Sequence, residues 1–387
     1  MISQSRRRVV HSMEVCFRPT ETFIFEFVRG CERYEAWCLA DKLTPQPGWD
    51  FERVRNVAIG KNEAPFWALA SRVSRSLLGV QNLRLHRILK RLRPTVIHAH
   101  FGPAGCRIRP YAERLKLPFL TSFYGFDASV LPRDPRWQQE FKQLFASGAA
   151  FIAEGPAMAR RLKSIGCPAD KIHILPITIH VQSYDFCPRE LASSEKLRLL
   201  FVGRFTPKKG LAVLLPAIAK AHDRLGSFEL RIIGSGGQES DLRKWTSELG
   251  LNDCVHFLGF KSRSDMVQEM QSAHVLVVPS VTGPDGDSEG GAPTILLEAQ
   301  ATGLPVLCSD HADIPYVIAS EYRRYVAAEG SVEQLADQLI AIRADSRHWR
   351  EFAVAGRAHV EHQHGVGNFK KLESLYDAVA LVDKDRH

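Results

Sequence analysis

Four charged residues in the second half of the chain have the types and spacing to bind a phosphorylated ligand that also carries hydroxyl groups. Arg204 and Lys209 follow the apolar run Leu197–Val202. Two cations at the carboxyl end of a predicted strand suit a diphosphate, which an arginine can hold with two parallel hydrogen bonds. Glu289 and Glu298 bracket a Gly-Gly-Ala-Pro turn and an apolar stretch. Taken alone, each pair is also compatible with ordinary surface charges.

The residues between the two glutamates predict a helix whose first turn attracts an anion. Pro293 is expected at the first helical position, where its missing N–H costs nothing. Gly303 is expected to end the helix, with Pro305 beyond it. The N–H groups near Thr294 and Ile295 would then be free to bind phosphate oxygens.

Glycines near this helix start allow a ligand to approach the backbone closely. The turn contributes Gly290, Gly291 and Ala292, and Gly234 begins a second turn, Gly-Ser-Gly-Gly, after another predicted strand. The second turn lacks the full dinucleotide-binding fingerprint, because Glu239 stands where its last glycine belongs. We therefore expect it to approach part of the same ligand rather than a dinucleotide.

A phosphate at the helix start assigns different roles to the two glutamates. Glu289 would repel that phosphate unless it faces neutral hydroxyl groups, such as those of a sugar. Glu298 lies about a turn and a half along the predicted helix and could accept hydrogen bonds from a ribose diol. Together with the cations, these features describe a nucleoside-diphosphate sugar. The alternative is a helix-terminal charge and an incidental glutamate.

The elements that must position these residues form a repeating strand and helix pattern of the α/β class. Short apolar runs that end in Gly, Ser or Asp are followed by segments of helical period, and this pattern occurs twice. A polar stretch, Asp185–Lys196, is the natural linker. We predict two Rossmann-like, doubly wound domains, residues 1–190 and 191–365, facing a central cleft. Ligands are expected at the carboxyl ends of their strands.

The first half places polar residues at the carboxyl ends of two predicted strands. His98 and His100 are two residues apart on one predicted strand, so their side chains point to the same face of the sheet. His100, nearest the strand end, could bind a sugar hydroxyl or the acceptor, or could be a structural histidine. Tyr124, Gly125 and Asp127 follow the next strand and should lie beside it. Asp127 could accept from the acceptor hydroxyl or cap the following helix.

Composition and charge describe a globular protein with a basic first half. The chain has 387 residues, 45% hydrophobic and 24% charged, and a net charge of +8. Residues 1–190 hold 29 Lys and Arg against 17 Asp and Glu. The basic, apolar-interleaved segment Phe66–Pro94 could contact an anionic membrane, or its apolar positions could be an ordinary core face.

Length and cysteine usage set the remaining expectations. A chain of 387 residues is too long for one ordinary core, which favours two domains. Its eight cysteines include no C-x-x-C pair, which favours reduced thiols rather than a zinc site or disulfides. The first residues carry charges without the apolar core of a signal peptide. We therefore expect a cytoplasmic protein, peripheral on the inner face of the cell membrane if the basic segment binds lipid.

These motifs resemble those of the retaining family-4 glycosyltransferases of the GT-B fold. "VGRFTPKKG" is similar to the family's V-G-R-x-x-x-x-K-G, and "SEGGAPTILLEAQATGLPV" to its E-G-x-P-x-x-x-x-E-A-x-A-x-G-x-P-V. "SFYGFDAS", "RPTETFI" and "AMARRLKSIGCPADKIHILPI" resemble the branch that builds bacterial exopolysaccharide, colanic-acid-type and lipopolysaccharide repeat units. The resemblance covers nearly the whole chain and is strongest over residues 197–307.

The resemblance implies a role for each matching residue. Arg204 and Lys209 would hold the donor diphosphate, Glu289 would contact the transferred sugar, and Glu298 would contact the ribose. His100 matches the family's active-site histidine. The last segment, residues 366–387, would be a helix that crosses back to the N-terminal domain.

Four departures from the family pattern are present in this sequence. Eight residues rather than seven separate Glu289 from Glu298. Tyr124 replaces the usual histidine of "H-G-x-D". Thr178 and His180 replace the usual Gly and Asp after the "LP" strand. The usual "G-G-x-P-E" reads "HADIPYV", which begins at His311.

The predicted reaction is the transfer of a hexose from a UDP- or GDP-sugar to a hydroxyl of a glycan or polyprenyl-diphosphate-linked saccharide, with retention at the anomeric carbon. His100, Glu289, Arg204 and Lys209 are the predicted catalytic residues. The cations and the helix start would stabilise the leaving diphosphate, so no metal or cofactor is expected. The "PDGD" stretch, Pro284–Asp287, is interpreted as a turn over the donor.

Two other classes of protein remain as alternatives. The first is a non-catalytic nucleotide-sugar-binding or scaffold protein with a vestigial GT-B fold, suggested by Tyr124 and "HADIPYV". The second is an epimerase or dehydrogenase, against which the missing dinucleotide fingerprint argues. Nothing in the sequence suggests a nucleic-acid partner.

Overall fold

The computed structural model describes residues 7–16, 18, 21–44, 51–57, 82–291 and 293–382. The chain divides into two compact units. Unit 1 contains the described residues up to Thr178 together with those from Val366 onward. Unit 2 is Ile179–Gly365. Most of the Phe66–Pro94 segment, Ala292 and parts of "RPTETFI" lie outside the described residues.

Unit 1 is built on a seven-stranded parallel sheet with the strand order β3-β2-β1-β4-β5-β6-β7. The central strands are buried on both faces, as is usual in parallel sheets covered by helices. The order reverses between β1 and β4, so their carboxyl ends form the point at which such sheets bind ligands. The strands are β1 (Arg7–Cys16), β2 (Tyr34–Leu43), β3 (Val54–Asn56), β4 (Val96–His100), β5 (Phe119–Ser122), β6 (Ala150–Ala153) and β7 (Ile172–Ile174).

Helices cover this sheet, and the last described helix belongs to the same unit. The helices of unit 1 are α1 (Thr22–Gly30), α2 (Leu83–Leu92), α3 (Gly102–Leu115), α4 (Phe126–Ser129), α5 (Pro135–Ser147), α6 (Pro156–Ser164) and α14 (Gly367–Val382). Phe369 and Leu372 of α14 are buried in a core cluster with residues of β1 and β2. Glu373 on the same helix accepts a hydrogen bond from Arg33 Nε at 2.9 Å.

Unit 2 repeats the arrangement with six parallel strands in the order β10-β9-β8-β11-β12-β13. The order reverses between β8 and β11. The strands are β8 (Leu197–Val202), β9 (Phe228–Ile233), β10 (Val255–Gly259), β11 (Val275–Val278), β12 (Val306–Asp310) and β13 (Val326–Ala328). The helices are α7 (Leu211–Leu225), α8 (Glu239–Glu248), α9 (Arg263–Ser272), α10 (Thr294–Thr302), α11 (Ile314–Val317), α12 (Val332–Ala344) and α13 (Trp349–His364).

The α/β class and the two parallel sheets are confirmed. The apolar pattern of the sequence does not indicate β3, β7 or β13, each three residues long, and only the family's "LP" motif points to β7. Both β3 and β7 are half-buried or exposed throughout, so they lack the apolar pattern of a strand. No described helix combines the length and apolar character that a membrane crossing requires.

Candidate functional site

The reversal point of the unit 2 sheet brings the loop after β8 against the end of β11. Lys209 closes a short 3-10 turn, Pro207–Lys209, and Gly210 follows with a positive φ of 74°. A Cβ atom at Gly210 would lie 1.8 Å from the carbonyl oxygen of Pro279, so only glycine allows this approach. Across it, Lys209 Nζ lies 2.6 Å from Glu289 Oε1. One residue from each of the two charged pairs in the sequence, Lys209 and Glu289, is therefore in direct contact with the other.

Glu289 is an ionised, hydrogen-bonded carboxylate. Its side chain is only 10% exposed, and Ser280 Oγ donates to Oε1 at 3.2 Å. Burial would raise the pKa of Glu289, but the charges of Lys209 and Lys208 outweigh it and hold that pKa below its ordinary value. A carboxylate in this state accepts hydrogen bonds and does not act as a proton donor at neutral pH.

The neighbouring Lys208 has a different, structural role. Its ammonium group is buried and donates to Asp287 Oδ1 at 3.0 Å and to the Ser288 carbonyl at 3.2 Å. Asp285 Oδ1 accepts from the amide of Asp287 at 3.0 Å. The "PDGD" stretch is thus a turn, as predicted, and it is held by Lys208. Its position over the donor stays a prediction.

Arg204 is an exposed cation at this edge. It follows β8, and within the described ranges no carboxylate or carbonyl group pairs with its guanidinium. An unpaired arginine beside a paired Lys209 leaves donors available to an anionic ligand.

The glycine turn after β9 serves the protein's own packing. Gly234 has a φ of 143°, and a Cβ atom there would lie 1.8 Å from the carbonyl oxygen of Gly203. A Cβ atom at Gly236 would lie 2.5 Å from the Phe205 carbonyl oxygen. The turn therefore lies backbone to backbone against the loop that carries Arg204. Its approach to a donor stays a prediction.

Helix α10 begins one residue later than the sequence indicated. Pro293 is the N-cap, with φ −56° and ψ 125°, and the helix starts at Thr294. The prediction that Pro293 is the first helical residue is wrong, because its ψ is extended. Leu296 N donates to the Pro293 carbonyl at 3.0 Å, so the amides of Thr294 and Ile295 face out of the helix end. Gly303 ends the helix with a φ of 78°, as predicted.

The turn before this helix is only partly described. Gly290 and Gly291 are buried, whereas Ala292 lies outside the described residues. Glu298, further along the helix, is 5% exposed and accepts from the hydroxyl of Tyr184 at 3.0 Å. Arg263 Nη2 donates to that same hydroxyl at 2.9 Å. Burial raises the pKa of Glu298, while Arg263 and Tyr184 oppose the rise.

Two further residues at this edge were not assigned by the sequence analysis. His311 Nε2 lies 3.1 Å from the amide nitrogen of Glu289, and His311 Nδ1 lies 2.9 Å from Glu329 Oε2. His311 follows β12 and Glu329 follows β13, so their sequence separation concealed the contact. The departure from the family pattern at "HADIPYV" was the available signal.

In unit 1, three histidines lie on one face of the sheet at its reversal point. His11 on β1 is in register with His98 on β4, and His100 is two residues further along. His11 Nδ1 is 2.9 Å from His100 Nε2, and the rings of His98 and His100 stack with centroids 4.2 Å apart. Sequence analysis missed His11, since strand register is not visible in the sequence.

The three imidazoles form a neutral, hydrogen-bonded cluster. All are fully buried, and burial lowers the pKa of His11 to about 3 and those of His98 and His100 well below their ordinary value. His98 is hydrogen bonded to Tyr376 and to Ser122, each at 2.7 Å. One nitrogen from each ring lies close enough to share a metal ion. Metal binding would have to break these hydrogen bonds and turn stacked rings.

Tyr124 is the half-buried member of this cluster. Its hydroxyl lies 2.7 Å from His100 Nδ1, and its ring is parallel to that of His100 within 13°. His100 itself is 0% exposed. A ligand would therefore meet Tyr124 before His100, which the sequence analysis had expected at the surface of the site.

Asp127 does not cap the helix after it, because it lies inside α4, whose start has no side-chain cap, and its carboxylate accepts from backbone amides that precede it in the sequence. Oδ1 accepts from the amides of Tyr124 and Gly125 at 3.1 and 3.0 Å, and Oδ2 accepts from the amide of Gly102 at 2.8 Å. Burial raises the pKa of Asp127, and the three amides counteract part of that rise. The carboxylate joins the loop after β5 to the start of α3.

Known families and relatives match both halves of the chain. Residues 21–183 match the family described as Glycosyltransferase Family 4, and residues 186–359 match Glycosyl transferases group 1. The amylovoran biosynthesis glycosyltransferase AmsK of Erwinia amylovora is 33% identical over 68% of this chain and 64% of its own length. The putative colanic acid biosynthesis glycosyltransferase WcaL of Escherichia coli is 32% identical over 70% of this chain and 67% of its own length.

The chain thus spans about two thirds of the length of WcaL and slightly less than two thirds of the length of AmsK. Among solved structures, Anabaena HepE in complex with UDP and glucose superimposes with a TM-score of 0.75. It is 15% identical and the match covers 96% of this chain and 99% of that chain. A likeness at this identity reports the fold, which is GT-B.

Proposed function

The chain belongs to the family-4 and group-1 glycosyltransferases, and from this premise we propose that it transfers a hexose from a nucleoside-diphosphate sugar to a saccharide hydroxyl. The donor is a UDP- or GDP-sugar, and the acceptor is a glycan or a polyprenyl-diphosphate-linked saccharide of cell-surface polysaccharide biosynthesis. The names of AmsK and WcaL, which refer to amylovoran and colanic acid, support this pathway class. The complex of HepE with UDP and glucose supports the donor class.

The contact between Lys209 and Glu289 is the observation that carries the proposal. A cation and a carboxylate meet at 2.6 Å at the carboxyl edge of the unit 2 sheet. Without ligand, each compensates the other's charge. A bound diphosphate would take over Lys209 and Arg204, and Glu289 would then accept hydrogen bonds from the hydroxyls of the transferred sugar. The diphosphate and the sugar of the donor would therefore bind to Lys209 and Glu289, two residues that are in contact with each other.

Departure of the diphosphate is the chemically demanding step. Negative charge develops on the leaving oxygen as the anomeric carbon becomes oxocarbenium-like. Arg204, Lys209 and the amides of Thr294 and Ile295 would stabilise that charge without reorganising, which is electrostatic preorganisation. Glu298 would accept from the ribose and so fix the nucleoside. The proposed reaction proceeds with retention, as the resemblance to the retaining family implies. It uses no metal ion or cofactor, because these groups neutralise the charge of the leaving diphosphate.

On the acceptor side, Tyr124 and the buried His100 behind it would orient the incoming hydroxyl. We extend the proposal to location: a cytoplasmic protein that contacts the inner face of the membrane, where a lipid-linked acceptor would be presented. Support comes from α2, whose Leu85 and Leu89 are buried while its basic residues are exposed. Its apolar positions are a core face, so any lipid contact is electrostatic.

Calorimetry with UDP and GDP, followed by a screen of nucleotide sugars for transfer or hydrolysis, tests the proposal. Lys209→Ala should weaken diphosphate binding by about 10-fold or more, because one charge-assisted contact is lost. Glu289→Gln should retain nucleotide binding and lose turnover. Lys220→Ala and Glu269→Gln are matched controls, since these residues pair elsewhere in unit 2 with Glu333 and Arg231.

Each outcome separates the proposal from its alternatives. Binding of neither UDP nor GDP would refute the assignment as a transferase. Nucleotide binding without turnover on any donor and acceptor would favour a non-catalytic sugar-nucleotide-binding protein. Turnover that survives EDTA supports the metal-independent scheme, whereas loss that Mg²⁺ restores would contradict it.

A further inference from the structure

His311 lies directly after β12 and contacts both the loop that follows β11 and Glu329, the residue after β13. Its side chain is 2% exposed. Nε2 lies 3.1 Å from the amide nitrogen of Glu289 and 3.1 Å from Ser288 Oγ. A backbone amide can only donate, so Nε2 must be the unprotonated nitrogen. The neutral ring therefore carries its proton on Nδ1, which donates to Glu329 Oε2 at 2.9 Å.

Glu329 anchors the other side of the ring. It follows β13, and its second oxygen, Oε1, accepts from the amide of Thr282 at 2.6 Å. Burial would raise the pKa of Glu329, but the hydrogen bonds from His311 and Thr282 outweigh it and lower that pKa. An ionised carboxylate that accepts from Nδ1–H selects the tautomer whose Nε2 accepts from Glu289.

Glu289 is consequently held at both ends. His311 binds its amide, while Ser280 Oγ and Lys209 Nζ bind its carboxylate at 3.2 and 2.6 Å. The carbonyl of Ser280 in turn accepts from the hydroxyl of Ser309 on β12. The two residues after Glu289 are glycines, which have no side chain with which to anchor the turn.

We propose that Glu329 and His311 are positioning residues that orient Glu289 toward the transferred sugar. The proposal rests on the proposed function of Glu289. The residue inserted between the two glutamates lengthens the turn on the Pro293 side, where two glycines give the backbone freedom. The Glu329–His311 pair fixes the turn on its other side, so the carboxylate keeps a defined direction although the loop is longer.

The tautomer gives a test that is independent of any activity. In the full-length protein labelled with ¹⁵N-histidine, His311 should be neutral, with the proton on Nδ1, at pH 7.5. Assignment comes from the resonance that disappears in His311→Gln. Glu329→Ala should shift the tautomer signal and speed hydrogen exchange of the Glu289 amide. A ring protonated at Nε2, or on both nitrogens, would overturn the proposal even if transfer activity is found.

Kinetics then separate positioning from packing. His311→Ala and Glu329→Ala should lower kcat by about 5- to 30-fold, the equivalent of one lost transition-state hydrogen bond, while UDP affinity stays within about 2-fold. His311→Gln, which places an acceptor near the Nε2 position, should recover part of kcat. Glu329 has a side chain 35% exposed, so its variant should fold even if His311→Ala does not.

His274 supplies the matched control. It is also a buried histidine that accepts from a backbone amide, that of Arg198, at 3.0 Å, and it contacts Glu195 at 3.4 Å. It precedes β11 and so lies at the opposite end of the sheet from Glu289. His274→Ala should reduce stability and leave kcat unchanged. If His311→Ala lowers stability equally and leaves kcat as His274→Ala does, His311 is a packing residue and the proposal fails.

Discussion

Tyr124 covers His100: the phenol hydroxyl lies 2.7 Å from His100 Nδ1, and the two rings are parallel within 13°. His11 Nδ1 lies 2.9 Å from the other nitrogen of His100, while His11 Nε2 has no partner among the described residues. A buried lone pair without a partner costs less than a buried N–H. His11 therefore donates from Nδ1, and His100 in turn donates from its own Nδ1 to Tyr124.

Removing the Tyr124 hydroxyl should impair both stability and transfer. Tyr124→Phe leaves the His100 N–H unpaired, which should lower the free energy of unfolding by about 1–3 kcal/mol. We expect kcat to fall by about 5- to 30-fold with donor affinity preserved. Tyr124→His, the residue usual at this position in the family, should retain activity. Urea denaturation and steady-state kinetics measure both effects.

Tyr111→Phe is the control for that substitution. The Tyr111 hydroxyl accepts from the amide of Asn82 at 2.7 Å, so its loss should also reduce stability. We expect kcat to be unchanged, because Tyr111 lies on α3 and contacts Asn82 at the amino-terminal end of α2. Equal kinetic effects of the two variants would mean that Tyr124 acts only through stability.

The parts of the site that follow one strand and its turn could be predicted from the sequence. Arg204 and Lys209 lie in the turn after β8, whose apolar run is visible in the sequence. Helix α10 ends at Gly303, and a glycine at the end of a helical pattern is a local signal for such an end. His11 and His311 could not be predicted in this way. Each meets its partner through strand order and register, which depend on long-range packing. The sequence analysis placed Pro293 at the first helical position rather than at the N-cap. The fixed φ of proline suits both positions, and only ψ distinguishes them.

The buried histidines should make unit 1 sensitive to acid. Burial lowers the pKa of His11 to about 3, and those of His98 and His100 also fall. Below about pH 6.5 the unfolded chain binds protons that the folded chain does not. Stability should therefore fall with decreasing pH, from the unfolded value near 6.5 toward the folded value of about 3 for His11. Each such histidine contributes about 1.4 kcal/mol per pH unit.

His11→Asn tests this dependence by removing one of the titrating groups. Urea denaturation at pH 7.5, 6.5 and 5.5 should give a shallower loss of stability than in the parent protein. His222→Asn is the control, because His222 is half exposed and beside Asp223. The explanation is wrong if the two variants have the same slope.

Backbone contact at Gly234 should make that turn intolerant of a side chain. Gly234→Ala would place Cβ 1.8 Å from the Gly203 carbonyl oxygen at a φ of 143°. The free energy of unfolding should fall by more than about 1 kcal/mol, and UDP binding should weaken because Gly203 precedes Arg204. Gly237→Ala, in the same turn, meets no atom of the described residues within 4 Å and should be nearly neutral. Equal tolerance of both variants in thermal denaturation and calorimetry would contradict this packing.

Membrane contact through α2 should be electrostatic and depend on lipid charge. Arg84, Arg87 and Lys90 are exposed on this helix, whereas Leu85 and Leu89 are buried in the core. Co-sedimentation with liposomes should require anionic lipid and weaken with salt, at about 1 kcal/mol per basic residue near the surface. Arg87→Glu with Lys90→Glu should reduce binding, because only charge and no apolar face contacts the lipid. The same reversal on α7, at Lys220 and Arg224, should have little effect. Binding that ignores lipid charge would remove α2 as the contact.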